Sequence, residues 1–382
     1  MPNRVKQRWT ERQIKQGKPK YIEVEPEERS SEEWSPRIIT NSTTDKKLLI
    51  VYNICTITHA VLNIGILNQW KLDIEKLLAQ NIKNLNIVVV DCRGEEKSWY
   101  SEKHFTTWIK NLKKCGIYYI AIKQYIPMHL SVNYAVKKII ELNGKYEYYM
   151  YWSSGLEISN DDKILNNIYN FLENNKNIGR ATLVATDDNA EPVVAAQIQY
   201  ENGYTIKPGF HINEHCSIYS NEWFESFDNR IRPDIFAGNG SEPLFPYMGV
   251  SIGKQVIVFS TTFVPPLTHH KRLDSRKNPG ISTSGQRWYI KSIGDTVEKT
   301  NYLNRADIKR KSNRCDSYNI FVNEHGGITG NTHLSIGEKE RLNNMYWSNN
   351  LTQIQREELN KIIKEEFFIP NFDYDTIKAE MF

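Results

Sequence analysis

Four short apolar runs recur at regular intervals in the first part of the chain: KKLLIVYNIC at residues 46–55, NLNIVVVDCRG at 84–94, IYYIAIK at 117–123 and YEYYMYW at 146–152. Stretches of helical character separate them, at about residues 66–80, 101–114 and 129–142. A run that is apolar throughout, without alternation, belongs to a strand buried on both faces. Strands of that kind joined by helices imply parallel βαβ units. The expectation is an α/β fold with a mostly parallel sheet and helices on both faces.

In such sheets ligands bind beyond the carboxyl ends of the strands. That rule puts Asp91, at the end of VVVD, on the same rim as Ser153, Ser154 and Gly155, at the end of YYMYW. An Asp after a strand also serves as a turn or helix cap, so the residue alone leaves both roles open.

The chain has 382 residues, 40% of them hydrophobic and 12% aromatic, enough to bury a substantial core and to form about two domains. Its formal net charge is only +4, which argues against a whole-molecule affinity for nucleic acid. The charge is uneven, however: Lys271 to Arg314 holds twelve Lys/Arg against four Asp/Glu. Five scattered cysteines (Cys55, Cys92, Cys115, Cys216, Cys315), with no CxxC pair, argue against a disulfide framework or a zinc site and fit a reducing compartment. The N-terminus lacks the apolar core of a signal peptide, and no run approaches the ~18 apolar residues of a membrane span. The expectation is a cytoplasmic protein, in host cytoplasm if viral; richness in Asn, Ile and Lys hints at an AT-rich genome, such as that of a phage, a giant virus or a low-GC bacterium.

Residues 1–45 pass from a basic block to an acidic one, with Pro19, Pro26 and Pro36 between, and read as a polar arm. Residues 280–314 are basic with Trp288, Tyr289 and Tyr302 interleaved, a composition that suits stacking on bases, a lid or an oligomer contact. The stretch from Ser335 to Phe368 reads as one or two amphipathic helices packed on the body.

The order VVVDCRG, IYYIAIK, QYIPMHLSVNYAVKKII, YEYYMYWSSGLEI resembles the nucleotide-sugar half of a GT-A glycosyltransferase, particularly glycosyltransferase family 2. The following segments HINEHCSIYSNEWFESFDN, FAGNGSEPLFPYMGVSIGK and QVIVFSTTFVPPLTHHK resemble that family's acceptor half in the same order. The resemblance covers residues 46–272. It implies a GT-A domain there, with 46–160 as the nucleotide-sugar half and 161–272 as the acceptor half. Residues 273–382 then form a basic segment and a mainly helical C-terminal extension.

By this resemblance Asp91 matches the Asp that contacts the nucleobase, with Arg93 close by, and Asn133 matches an Asn on the next helix. Glu242 stands at the catalytic acidic residue, Gly253 at the Gly that closes a helix before the next strand, and His269 or His270 at a late His. The sequence departs from the family at the Asp-x-Asp motif, where Ser153, Ser154 and Gly155 stand instead. The second Asp of that motif binds a divalent cation that neutralises the leaving diphosphate, which serine does poorly and glycine cannot do.

The chemistry so implied is transfer of a sugar from a nucleotide sugar, UDP-linked, to an acceptor hydroxyl with inversion. Glu242 follows Gly238, Gly240 and Ser241 and precedes Pro243, so it is either a general base or a plain helix cap. For the charge on the diphosphate there are three answers. Glu157 or His270 holds Mn or Mg; Asp187 and Asp188 form a displaced carboxylate pair; or no metal is needed. In the last case the Ser153 and Ser154 hydroxyls, backbone N–H groups near Gly155, and Lys271, Arg272, Arg276 and Lys277 meet the phosphates. The last is preferred, although a basic run is often only a solvated face. The acceptor is a glycan, a protein or, for a phage enzyme, a modified DNA base. A reading of a different class is a catalytically inactive protein that binds sugar nucleotides or glycans.

Overall fold

The computed structural model of the chain describes residues 47–54, 64–80, 82, 84–92, 102–123, 128–154, 156–158, 163–183, 199–201, 204–208, 216–234, 244–261, 267–269, 324, 351–369 and 371–382. The four apolar runs are strands: β1 (Leu48–Ile54), β2 (Leu85–Cys92), β3 (Tyr118–Ile122) and β4 (Tyr148–Ser153). Between them lie α1 (Ile64–Ala79), α2 (Glu102–Lys114) and α3 (Met128–Asn143). β1 pairs in parallel with both β2 and β4, and β2 with β3. Every residue of β1 is buried, as a central strand covered on both faces must be.

The chain continues through β5 (Leu156–Ile158), α4 (Ile164–Asn174), β6 (Ile178–Leu183), β7 (Gln199–Glu201), β8 (Tyr204–Pro208), β9 (Cys216–Ser220), α5 (Asn221–Ser226), α6 (Leu244–Ser251), β10 (Gln255–Thr261) and β11 (Leu267–His269). The C-terminal part holds α7 (Gln353–Phe367) and β12 (Ala379–Met381). The main sheet runs β12-β3-β2-β1-β4-β9-β6-β10-β8-β7, and β11 pairs with β5 in a small second sheet. β9 is antiparallel to both β4 and β6, and β8 and β12 are antiparallel to their neighbours as well. An antiparallel strand needs no crossover helix, so these strands join the sheet without the helical spacing that marks β1 to β4 in the sequence. The result is the α/β architecture expected from the sequence, a mostly parallel sheet with helices on both faces and a C-terminal helix.

Strand alternation divides the core in two. Ile50, Tyr52, Val89, Tyr119, Met150 and their neighbours pack under α1, α2 and α4. Leu49, Val51, Val90, Tyr149 and Tyr151 pack under α3, α5, α6 and α7. On the second face Trp223 is fully buried among Tyr219, Phe227 and Phe245, and its indole N–H donates to the Ile231 carbonyl at 3.2 Å. The side chain of Ser220 caps α5 by accepting from the Trp223 N–H. Gly253, with φ of +68°, reverses the chain between α6 and β10, a conformation glycine adopts without steric cost.

The C-terminal extension belongs to this second core rather than to a separate body. Leu359, Ile363, Phe367, Phe368, Tyr374 and Ile377 join it, with Phe368 stacked on Phe227 at 5.7 Å. α7 opens with a capping box between Thr352 and Gln355. Beyond it β12 adds an edge strand to β3, a strand that the expectation of a mainly helical extension did not contain. Among the described residues no helix is long and apolar enough to cross a membrane.

Candidate functional site

The rim at the carboxyl ends of β2, β1 and β4 carries the first group of candidate residues. Asp91 is level with Ile54 of β1, and Asn53 is level with Ser153 of β4. The two motifs therefore flank one strand, with their backbones about 10 Å apart at two strand spacings. Alternation sends Asp91 toward the α1/α2 face, and Asn53 and Ser153 toward the α3 face. Asp91 is fully buried and accepts a hydrogen bond from the Tyr119 hydroxyl at 2.8 Å. Ser153 and Ser154 are half-buried, and the Ser154 N–H donates to the Asn53 carbonyl at 2.9 Å.

Asn53 itself was not singled out from the sequence. It is 5% exposed, and its Oδ1 meets no hydrogen-bond donor among the described residues. Burying an acceptor without a partner costs about 1–3 kcal/mol. The available signal was a single polar residue near the end of an otherwise apolar strand, LLIVYNI.

Asn133 lies on α3, and its side chain is fully used inside the protein. Its Nδ2 donates to the Arg232 carbonyl at 2.7 Å and to Asp234 Oδ1 at 2.9 Å. Its Oδ1 accepts from the N–H groups of Ile231 and Arg232, both at 3.2 Å. An amide has two donors and two acceptor lone pairs, so none is left over for a nucleotide. In this structure Asn133 holds the segment from Ile231 to Asp234 rather than presenting a free group at the rim.

That segment brings charge to the rim. The Arg232 guanidinium lies over the Tyr151 ring at 4.1 Å, two residues before Ser153, and is fully buried. Arg180, from β6, donates to Ser217 Oγ at 2.9 Å and stacks on Phe245 of α6 at 3.9 Å. Planar guanidinium groups tolerate burial against aromatic faces better than ammonium groups do. His129, in the first turn of α3, sits 3.2 Å from the Pro233 carbonyl through Nδ1. Burial and the Arg232 charge hold its pKa well below the ordinary 6.5; the Pro233 carbonyl opposes them and Arg180 lowers it further. His129 is therefore neutral at physiological pH.

Of the remaining candidates, His269 and Glu157 lie on the paired strands β11 and β5, where Thr268 is level with Glu157 and His269 with Leu156. Arg93, Gly155, Asp187, Asp188, Glu242, His270, Lys271, Arg272, Arg276 and Lys277 lie outside the described residues, as do the N-terminal arm and the basic segment. For a divalent cation, the described end of β4 offers two serine hydroxyls and no carboxylate. No group of three His, Cys, Asp or Glu suited to a metal occurs among the described residues. That donor set does not fit a hard cation, which takes oxygen ligands led by carboxylates.

No protein-family model matches the chain, and no curated protein matches it in sequence. Among solved structures, the chain is similar to S. aureus TarS, with 10% identity and a TM-score of 0.41 over 83% of this chain and 50% of that one. It thus spans about half the length of that TarS chain. It is similar to S. aureus TarS 1–349 in complex with UDP-GlcNAc, with 12% identity and a TM-score of 0.42 over 83% of each chain. It is also similar to the galactosyltransferase LgtC in complex with donor and acceptor sugar analogs, with 9% identity and a TM-score of 0.29 over 65% of this chain and 95% of that one.

Proposed function

We propose that this chain is a glycosyltransferase that moves a sugar from a UDP-linked donor to an acceptor hydroxyl with inversion at the anomeric carbon. The observation that supports it most is the rim itself. Asp91 and Ser153, 62 positions apart in the sequence, end strands on either side of β1, with the buried acceptor of Asn53 between them. In this reading a nucleoside diphosphate passes over the carboxyl end of β1, with the Asp91 carboxylate on the α1/α2 side and the Ser153 hydroxyl on the α3 side.

In this reading Asp91 accepts from the nucleobase, with Arg93 beside it, and the Ser153 and Ser154 hydroxyls donate to the diphosphate. Glu242 takes the proton of the acceptor hydroxyl as its oxygen attacks the anomeric carbon. The bond from that carbon to the diphosphate breaks, and its electron pair leaves with the nucleotide. Lys271 and Arg272 offset the charge that develops on the leaving group. Asn133 contributes through the Ile231–Asp234 segment. The acceptor is a glycan or protein hydroxyl, or a modified base in DNA, for which the basic segment after His270 would supply phosphate contacts.

The test is a panel of nucleotide sugars, each with and without EDTA, assayed for nucleotide release with and without candidate acceptors. Turnover of a UDP-sugar that survives EDTA, and that falls further in the Lys271→Ala/Arg272→Ala double variant than on metal removal, is the expected result. Binding without turnover favours the inactive sugar-nucleotide-binding reading instead. Activity abolished by EDTA and restored by manganese contradicts the metal-independent part, with His269, His270, Glu157, Asp187 and Asp188 the first ligands to examine.

A further inference from the structure

The segment from Arg230 to Asp234 is gripped from two sides. α3 holds it through the four Asn133 hydrogen bonds and through His129. The C-terminal segment holds it from the other side. The Asp234 carboxylate accepts from the Ile369 N–H at 3.0 Å and from the Tyr374 hydroxyl at 3.4 Å. Arg230 pairs with the same carboxylate at 3.3 Å, and donates to the Tyr374 hydroxyl at 3.2 Å and to the Ile369 carbonyl at 2.9 Å. Asp234, Arg230 and Tyr374 are all buried, so these bonds operate where an unmade one is costly.

We propose that Ile369 and Tyr374 clamp the site, and that Tyr374 and Asp234 are positioning residues that set the Ile231–Asp234 segment against the rim and so set the rate of transfer. The argument has three parts. The partners come from three regions of the chain, more than 95 positions apart in sequence, so the contact forms only when the C-terminal part is docked. The segment it fixes carries Arg232 onto Tyr151, two residues from Ser153. The same C-terminal part is anchored at a second place, because Asn360 of α7 donates to Ser251 Oγ at the end of α6, the helix whose Phe245 stacks on Arg180. The rate claim rests on the transferase reading; the clamp does not.

The test uses the full chain with Tyr374→Phe, which removes one hydroxyl and keeps the ring. Ile377→Val, a buried truncation in the same segment, and Asp375→Ala, which breaks an exposed pair with Lys138, are the controls. Hydrogen exchange at the Ile231 and Arg232 amides should speed up about tenfold in Tyr374→Phe and stay unchanged in Asp375→Ala. With a UDP-sugar donor, kcat of Tyr374→Phe should fall about fivefold with donor KM within twofold, whereas Ile377→Val lowers the thermal midpoint without that split. Unchanged exchange at residues 231 and 232 overturns the clamp. Faster exchange with unchanged kcat, or kcat losses that track thermal stability across all three variants, overturns the positioning role. Silence of the wild-type chain toward every donor overturns the transferase reading and the rate claim with it, while the exchange result still decides the clamp.

Discussion

The two halves of the rim are built in different ways. On the β2 side, Asp91 is set by the strand that carries it, and its hydroxyl partner, Tyr119, is on the neighbouring strand β3. On the α3 side, the polar groups are set by hydrogen bonds between segments far apart in the chain: Asn133 to Asp234, Asp234 to Ile369 and Tyr374. The first arrangement needs only a parallel sheet with its strands in register. The second needs the C-terminal part docked, with Ile369 and Tyr374 against Asp234. The difference separates residues whose loss should affect ligand from residues whose loss should affect the fold.

The largest effect is expected at the chemistry itself. Glu242→Gln keeps the shape of the side chain and removes the proton acceptor, so kcat should fall by about 10² to 10⁴-fold with donor affinity nearly unchanged. Steady-state kinetics with a UDP-sugar check it, and a variant that turns over near the wild-type rate removes Glu242 from the role of base.

Next comes Asn133, where the comparison is sharpest. Asn133→Ala leaves the Ile231 and Arg232 N–H groups, the Arg232 carbonyl and one bond to Asp234 without their partner, at a cost of about 3 kcal/mol or more in stability. Thermal or urea unfolding measures it. A stable variant with selectively weakened donor binding would return Asn133 to direct contact with the nucleotide.

A smaller effect concerns pH. His129 is neutral in the fold because burial, with the Arg232 charge and the nearby Arg180, depresses its pKa, while the unfolded chain takes up a proton near the ordinary value. Below pH 6.5 the unfolded state binds more protons than the folded one, so stability is present above that pH and is lost as pH falls, by up to about 1.4 kcal/mol per unit. Unfolding curves from pH 7.5 to 5 should show this slope. His129→Asn, which keeps a donor for the Pro233 carbonyl, should flatten it; an unchanged slope assigns the acid sensitivity elsewhere.

The same contrast accounts for what was legible in the sequence. The strands β1 to β4 announce themselves because burial on both faces leaves a continuous apolar run, and the helices between them because a parallel crossover requires one. Asp91 and Ser153 follow from the carboxyl-end rule once those strands are seen. The helix that carries Asn133 was legible, but the partners that use up its amide were not, since they lie about a hundred positions away. Nothing in the three residues of β12, Ala379–Met381, distinguishes them from a loop; an edge strand is specified by the neighbour it pairs with rather than by its own pattern. Tyr374 and Asp234 were hidden for the same reason. Each is unremarkable locally, and only the fold joins them.

The most direct test of the central claim, that the rim from Asp91 to Ser153 is a nucleotide-sugar site, is a calorimetric titration of UDP into the wild-type chain and into Asp91→Ala, both in EDTA. The account predicts saturable binding by the wild type without metal, weakened in Asp91→Ala by about 1–3 kcal/mol as the acceptor for the nucleobase is lost, measured at a temperature where unfolding curves show both proteins folded. Absence of UDP binding, or binding that Asp91→Ala leaves unchanged, would contradict it.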